Sequence, residues 1–180
     1  TGQILVDGQL TTRPGPDRAV VFQRFALFPA MTVAKNIGFG LSVAGAPQAE
    51  IAEKVAVQMK LMHLEGFEKA YPHELSGGMQ QRAAIARSLI LEPDILLMDE
   101  PFGALDAQTR TIMQEEVARL ARELNLTILF ITHSVVEAVY LGRRIAIMTK
   151  RPGRLKEVMD TSDSVEWRGQ TAEIAASSPD

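Results

Sequence analysis

Asp99 and Glu100 are adjacent carboxylates at the end of a short apolar run, Ile95-Leu96-Leu97-Met98. A continuous run of this kind suits a strand buried on both faces of a parallel sheet. Ligands of parallel sheets bind beyond the carboxyl ends of the strands, which is where the pair stands. A carboxylate there can hold a hard cation as an oxygen ligand or act as general base toward a water. Upstream, Ser76-Gly77-Gly78 opens a helix. Ser76 is a good N-cap, two glycines let the backbone approach an anion, and the helix start aims free N–H groups at it. Both stretches have plainer readings: a cap with a turn, and an exposed acidic turn that begins the next helix. Two further candidates follow apolar runs. Gln23 ends the run 19–22, and His133 ends the run 126–132; a lone His there also reads as a satisfied structural residue.

The elements that must position these residues alternate between strand and helix. A strand is expected over 3–6, a tight turn at Asp7-Gly8, a loop over 13–17, and a buried strand over 19–22. Thr32 caps a helix through about 43, with Val33, Ile37 and Leu41 at helical spacing, and Gly45-Ala46-Pro47 breaks it. A second helix over 48–63 lines up Ile51, Val55, Met59 and Met62 on one face, the methionines as core filler and His63 as a solvated end. The helix 78–91 has Ala84, Ile85, Ser88 and Leu89 as its packing stripe; Arg82 and Arg87 read as solvated, with phosphate the alternative for Arg82. After the strand 95–98, Asp106 caps a helix to about 124, and 126–132 forms another buried strand. Ser134 and Glu137 read as a capping box. A strand over 143–148, a basic turn Lys150-Arg151-Pro152-Gly153-Arg154 and a return strand over 155–158 complete the pattern; from 159 the chain is a polar, acidic tail with Trp167.

Composition narrows the classes. The chain has 180 residues, 46% of them apolar and 23% charged, with a formal net charge of −3. That length supports one domain with a real core. The charge balance argues against a nucleic-acid binder. There is no cysteine, hence no disulfide and no thiolate metal site. No apolar run is long enough to span a bilayer, and no signal peptide is read at the start.

The ordered set Leu75-Ser76-Gly77-Gly78-Met79-Gln80, Asp99-Glu100-Pro101 and Ala104-Leu105-Asp106 resembles the nucleotide-binding subunit of ATP-binding-cassette (ABC) transporters. Met98 to Asp106 and the Arg151-Pro152-Gly153-Arg154 turn resemble, more weakly, the importer branch for nitrate, sulfonates and taurine. The resemblance implies an α/β fold: a P-loop NTPase-like ABC ATPase core, mostly parallel sheet with flanking helices, plus a small helical signature subdomain over about 32–78. The ABC domain would cover 1–158 and the tail 159–180. It also implies roles. Glu100 would be the general base, Gln23 and His133 would position the attacking water and the γ-phosphate, and Asp99 with Gln23 would face Mg²⁺. Ser76, Gly77, Gly78 and Gln80 would grip ATP bound by a second subunit, and Ala104, Leu105 and Asp106 would form a loop across the dimer interface. In the segment 23–31, Phe25, Leu27 and Phe28 either tuck under the domain or, with Pro29, meet a membrane subunit; the resemblance implies the second for Leu27, Phe28 and Pro29.

The partners so implied are a second ATP-binding subunit in a homodimer, transmembrane permease subunits and, indirectly, a solute-binding protein, with the chain at the cytoplasmic face of the membrane. One part of the family pattern is absent. No Gly-x-x-x-x-Gly-Lys-[Ser/Thr] and no Gly-Lys pair occurs in the chain. That loop wraps phosphates with backbone N–H groups and adds a Lys charge. The resemblance implies that it and the adenine-stacking aromatic belong upstream of Thr1, so the fold is expected to be N-terminally incomplete and the chain inactive alone. The alternatives are a non-transport ABC ATPase and a partner-binding remnant.

Overall fold

The computed structural model describes residues 2–161. The chain divides into two compact units, Thr1–Ile131 and Thr132–Asp180.

The first unit opens with a small antiparallel hairpin, β1 (Leu5–Val6) and β2 (Gln9–Leu10). Asp7 and Gly8 between them have φ of 49° and 77°, the left-handed pair that a two-residue turn of this twist requires. Three parallel strands follow, β3 (Arg18–Val21), β4 (Ile95–Asp99) and β5 (Thr127–Ile131), hydrogen-bonded in that order. Val21 pairs with Met98, and Met98 with Phe130. Between β3 and β4 the chain makes α1 (Val33–Val43), α2 (Gln48–Leu61), a 3-10 turn at Pro72–Glu74 and α3 (Gly77–Leu89). Thr32 and Ser76 are the N-caps of α1 and α3, as their side chains dictate. The helix α4 (Ala107–Glu123), capped by Asp106, links β4 to β5.

The core of this unit lies among α1, α2 and α3 and between α3 and the sheet. Val33, Ile37, Val55, Met59 and Met62 are buried together with Ala84, Ile85 and Leu89. Gly38 lets α1 and α2 close up, since a Cβ there would lie 2.8 Å from Ile51. The methionines fill core space as expected. The second helix stops at Leu61, two residues early, because His63 turns into the left-handed region at φ 52°; His63 is exposed.

The sheet corrects one expectation. Leu129 is 58% and Ile131 53% exposed, so β5 is covered on one face only. Val20, Leu97 and Leu129 share the open face, whereas Val21, Met98 and Phe130 face the helices. An apolar run states that a strand can be buried on both sides; it does not state which side receives a helix.

The second unit contains α5 (Val135–Leu141) and an antiparallel hairpin of β6 (Arg144–Met148) and β7 (Leu155–Asp160). The return strand continues two residues further than expected because Met159 and Asp160 pair with Ile145 and Arg144. Thr149 organises the basic turn: its hydroxyl donates to Pro152 O at 2.9 Å and accepts from Arg154 N at 3.0 Å. The tail from 162 onward, Trp167 included, lies outside the described residues.

Candidate active site

Parallel pairing in register carries β3 and β4 side by side to their carboxyl ends. With Val21 opposite Met98, two further residues on each chain bring Gln23 level with Glu100. Gln23 Nε2 donates to Glu100 Oε2 at 3.2 Å. Glu100 has φ 44°, a left-handed backbone that a non-glycine residue adopts only under local constraint. Two main-chain bonds supply that constraint: Glu100 N donates to Ile131 O at 2.9 Å, and Gly103 N donates to Glu100 O at 3.1 Å. Gly103 leaves room for this turn, since a Cβ there would lie 3.3 Å from Gln23 Nε2. Asp99 is the last residue of β4 and is exposed.

His133 belongs to the second unit, in the stretch between β5 and α5, and is exposed. Its neighbours are tightly organised. Thr132 Oγ1 accepts from Ser134 N at 2.9 Å and donates to the Glu137 carboxylate, while Ser134 Oγ accepts from Glu137 N at 3.3 Å. The expected capping box is thus relayed through Thr132, whose hydroxyl stands between the acid and the cap backbone.

At the start of α3, Ser76 Oγ accepts from Met79 N at 3.3 Å, and its own hydrogen is left to donate elsewhere. Gln80 Nε2 donates to Leu75 O at 3.2 Å. Gly77 and Gly78 form the first turn and are half-buried. A Cβ on Gly77 would meet Leu105 Cδ2 at 3.5 Å and Phe25 Cζ at 3.8 Å, so the signature, the loop after β3 and the loop before α4 converge. Leu105 is buried, Ala104 and Asp106 are exposed. Asp106 Oδ1 accepts from Thr109 N at 2.9 Å; bonds from the Thr109 hydroxyl and backbone hold its carboxyl below the usual carboxylate range.

The segment 23–31 is held from two sides by residues that sequence reasoning missed or misassigned. Asn36, fully buried on α1, accepts from Phe28 N at 2.7 Å and donates to Phe28 O, Met31 O and Thr32 O at 3.0–3.1 Å. The signal was present: an Asn between Val33 and Ile37 on an apolar helix face must find partners there. Arg87 was expected in solvent. Instead Arg87 Nη1 donates to Ala26 O at 2.8 Å and its guanidinium lies 5.3 Å from the Phe28 ring centre; burial pulls its pKa down. Arg82 is a second correction, since its Nε meets the buried Glu116 at 2.9 Å. Long cationic side chains can run along apolar surface to a distant partner, which a helix-face pattern does not show. The result is a loop with Leu27 half-buried and Phe28 and Pro29 on the surface.

Among the described residues no group of three or more His, Cys, Asp or Glu side chains is arranged to hold a metal. The Asp99 carboxylate and the Gln23 amide oxygen are hard donors, of the kind that Mg²⁺ takes one or two at a time beside water and phosphate.

Residues 1–103 match the family model described as ABC transporter. The chain is 53% identical over 158 residues to an uncharacterized ABC transporter ATP-binding protein of Methanocaldococcus jannaschii, covering 88% of this chain and 59% of that protein. It is 49% identical to the nitrate import ATP-binding protein NrtD of Synechocystis, over 87% of this chain and 59% of that one. It is 43% identical to the aliphatic sulfonates import ATP-binding protein SsuB of Bacillus cereus, over 89% of this chain and 63% of the relative. The chain therefore spans about three-fifths of the length of these curated relatives. With a matching family model over more than half of its residues, and the ordered motifs in place on the expected strand and helix ends, the chain belongs to the ABC transporter family.

Proposed function

We propose that these residues form the hydrolytic part of an ATP site in an ABC importer for a small oxyanion of the nitrate, sulfonate or taurine kind. The observation that carries the reading is the Gln23–Glu100 hydrogen bond at the carboxyl ends of adjacent parallel strands, beside Asp99. Glu100 accepts the proton of a water and Gln23 holds the Glu100 carboxylate in place; for His133 the orienting role is the one that the family resemblance implies. Asp99 and Gln23 would hold Mg²⁺, which when bound neutralises charge on the β- and γ-phosphates. Ser76, Gly77, Gly78 and Gln80 present a helix start to ATP held by the second subunit of a homodimer, with Ala104, Leu105 and Asp106 crossing between the subunits. The oxyanion class is supported by two of the similar proteins, which are named for nitrate import and aliphatic sulfonates import.

A permease contact follows from the surface beside the site. Phe28 and Pro29 are exposed, and Phe28 lies 4.5 Å from Phe39. Phe39 lines a cleft of about 810 Å³ between α1 and α2, whose apolar floor includes Val55 and Met59 and whose rim carries Lys35 and Glu68. A short amphipathic segment of a membrane subunit fits such a cleft, with the solute-binding protein acting through that subunit. Among the described residues no helix is long and apolar enough to cross a membrane. The helical part, about 32–78, carries that cleft and would face the membrane subunit, with the chain at the cytoplasmic face as the family resemblance implies.

These 180 residues contain no Gly-x-x-x-x-Gly-Lys-[Ser/Thr], so by themselves they bind ATP weakly or not at all. The test uses a full-length polypeptide that joins them to such a loop. Glu100→Gln should retain ATP binding and lose hydrolysis by about 10²–10⁴-fold, the usual range for a general base. Unchanged turnover in that variant overturns the assignment.

A further inference from the structure

We propose that Arg87 is a positioning residue for Gln23: from α3 it holds Ala26 in a left-handed turn, and that turn keeps the Gln23 amide on the Glu100 carboxylate. The consequence for hydrolysis rests on the ATP-site reading above; the linkage itself does not.

Gln23 lies two residues past Val21, the last residue of β3 to pair with β4. Sheet register therefore fixes the approach to Gln23 and leaves the chain beyond it to be held by other elements. Asn36 on α1 holds the far end at Phe28 and Met31. Ala26 lies between these two anchors and has φ 50°. An alanine is disfavoured there, because its Cβ crowds the following carbonyl oxygen. Such a residue persists where its surroundings hold it. Arg87 supplies the hold, since its Nη1 donates to Ala26 O at 2.8 Å. The same guanidinium lies 5.3 Å from the centre of the Phe28 ring. Several N–H donors on one planar cation let a single side chain serve a carbonyl and an aromatic ring together.

The next residue of α3 reaches the strand. Ser88 Oγ stands 3.2 Å from Val20 O and 3.0 Å from Ala84 O. Consecutive residues of one helix thus touch the chain three residues before Gln23 and three residues after it. At the start of the same helix, Phe25 Cζ lies 3.8 Å from the place a Gly77 Cβ would take. The stretch 20–26 is laid along α3, with Gln23 at its middle. If Ala26 relaxed to negative φ, the chain on both sides of it would turn. Val21 and Phe28 are anchored, so the residues between them would move. Glu100 keeps its own turn through Ile131 O and Gly103 N, and the 3.2 Å bond from Gln23 is what would be lost.

The test follows the ¹⁵N side-chain amide of Gln23 by NMR in the full-length polypeptide, without nucleotide. In the wild type its shift should follow the ionisation of Glu100, and Glu100→Gln should abolish that pH step. Arg87→Met keeps the apolar stem and removes the donor, and the step should be lost. Adding Ala26→Gly should restore it, because glycine takes the left-handed region unaided. Turnover should follow the same order. Arg87→Met should lower kcat by up to about 10²-fold, the scale for a group displaced by about 1 Å, and should lower it no further in a Gln23→Ala background. A loss of equal size in both backgrounds would mark Arg87 as merely structural and overturn the proposal. So would a wild-type amide that ignores Glu100, an Arg87→Met amide that keeps its step, or an Arg87→Met/Ala26→Gly pair that does not regain it. Should Arg87→Met not fold, a folded pair with the wild-type step supports the linkage, and an unfolded pair overturns it. No nucleotide enters the amide measurement, so its outcome is separate from that of the Glu100→Gln turnover assay.

Discussion

Gln23 Nε2 lies 3.2 Å from Glu100 Oε2, two residues beyond the paired Val21 and Met98. The neutral amide is thereby a hydrogen-bond donor to the ionised form of the acid. Replacing it by a carboxylate, Gln23→Glu, would set two like charges at that distance and favour the protonated form of one. In a full-length ATPase carrying these residues, the acid limb of the kcat/KM profile should move to higher pH. Gln23→Ala should lower kcat and shift the profile less. An unmoved acid limb in Gln23→Glu would remove Gln23 from the site.

Asn36 should be the most costly polar residue to lose in the first unit. Its side chain makes four hydrogen bonds to the backbone of 28–32 from a fully buried position. Asn36→Leu strands the Phe28 N–H and leaves carbonyl groups without that partner, at about 1–3 kcal/mol for a buried orphan. A loss of about 2–4 kcal/mol is expected by urea unfolding, with an unchanged m-value. A loss below about 0.5 kcal/mol would mean that the loop does not need this clamp.

The Arg82–Glu116 pair makes an asymmetric prediction. Arg82→Met leaves Glu116, whose side chain is 6% exposed, without its nearest cation, and the more distant Arg119 lies at 4.0 Å. Breaking a buried pair from one side costs about 3–5 kcal/mol, and the partial exposure of Arg82 puts the expectation near the lower end. Arg82→Met with Glu116→Leu should recover most of that loss, because the uncompensated charge is gone. Additive losses in the double-mutant cycle would contradict this account.

Asp106 carries a pH signature of stability. Bonds from Thr109 to its carboxylate depress the folded-state pKa. A depressed carboxyl pKa contributes stability that is present above the unfolded value, about 3.9, and is lost as pH falls through the lower folded value. Asp106→Asn should flatten that acidic segment of the stability curve. Superimposable curves for wild type and Asp106→Asn below about pH 4 would show that the cap does not discriminate between charge states.

What the sequence alone determined is local or ordered along the chain. Thr32, Ser76, Asp106 and Ser134 all became N-caps, because a cap acts over three residues and needs only its own side chain. Asp7-Gly8 made its turn, and the apolar runs became strands that deliver Gln23 and Glu100 at their ends. The family was legible for the same reason, since its motifs are short and follow one another in fixed order.

What only the tertiary structure decided is long-range. Arg87 reaches Ala26 across 61 residues, and Arg82 reaches Glu116 across 34; helical periodicity describes where a side chain starts and not where a flexible cation ends. Asn36 was marked by its place on an apolar face, yet its partners lie in a loop whose path depends on α1 and α3 together. One face of β5 stayed open because burial depends on which helix arrives. The fit of the Thr109 methyl against Gly78, where an added Cβ would lie 2.7 Å from Thr109 Cγ2, has no trace in either helix alone: it arises where two first turns meet, and their meeting is set by the packing of α3 against α4.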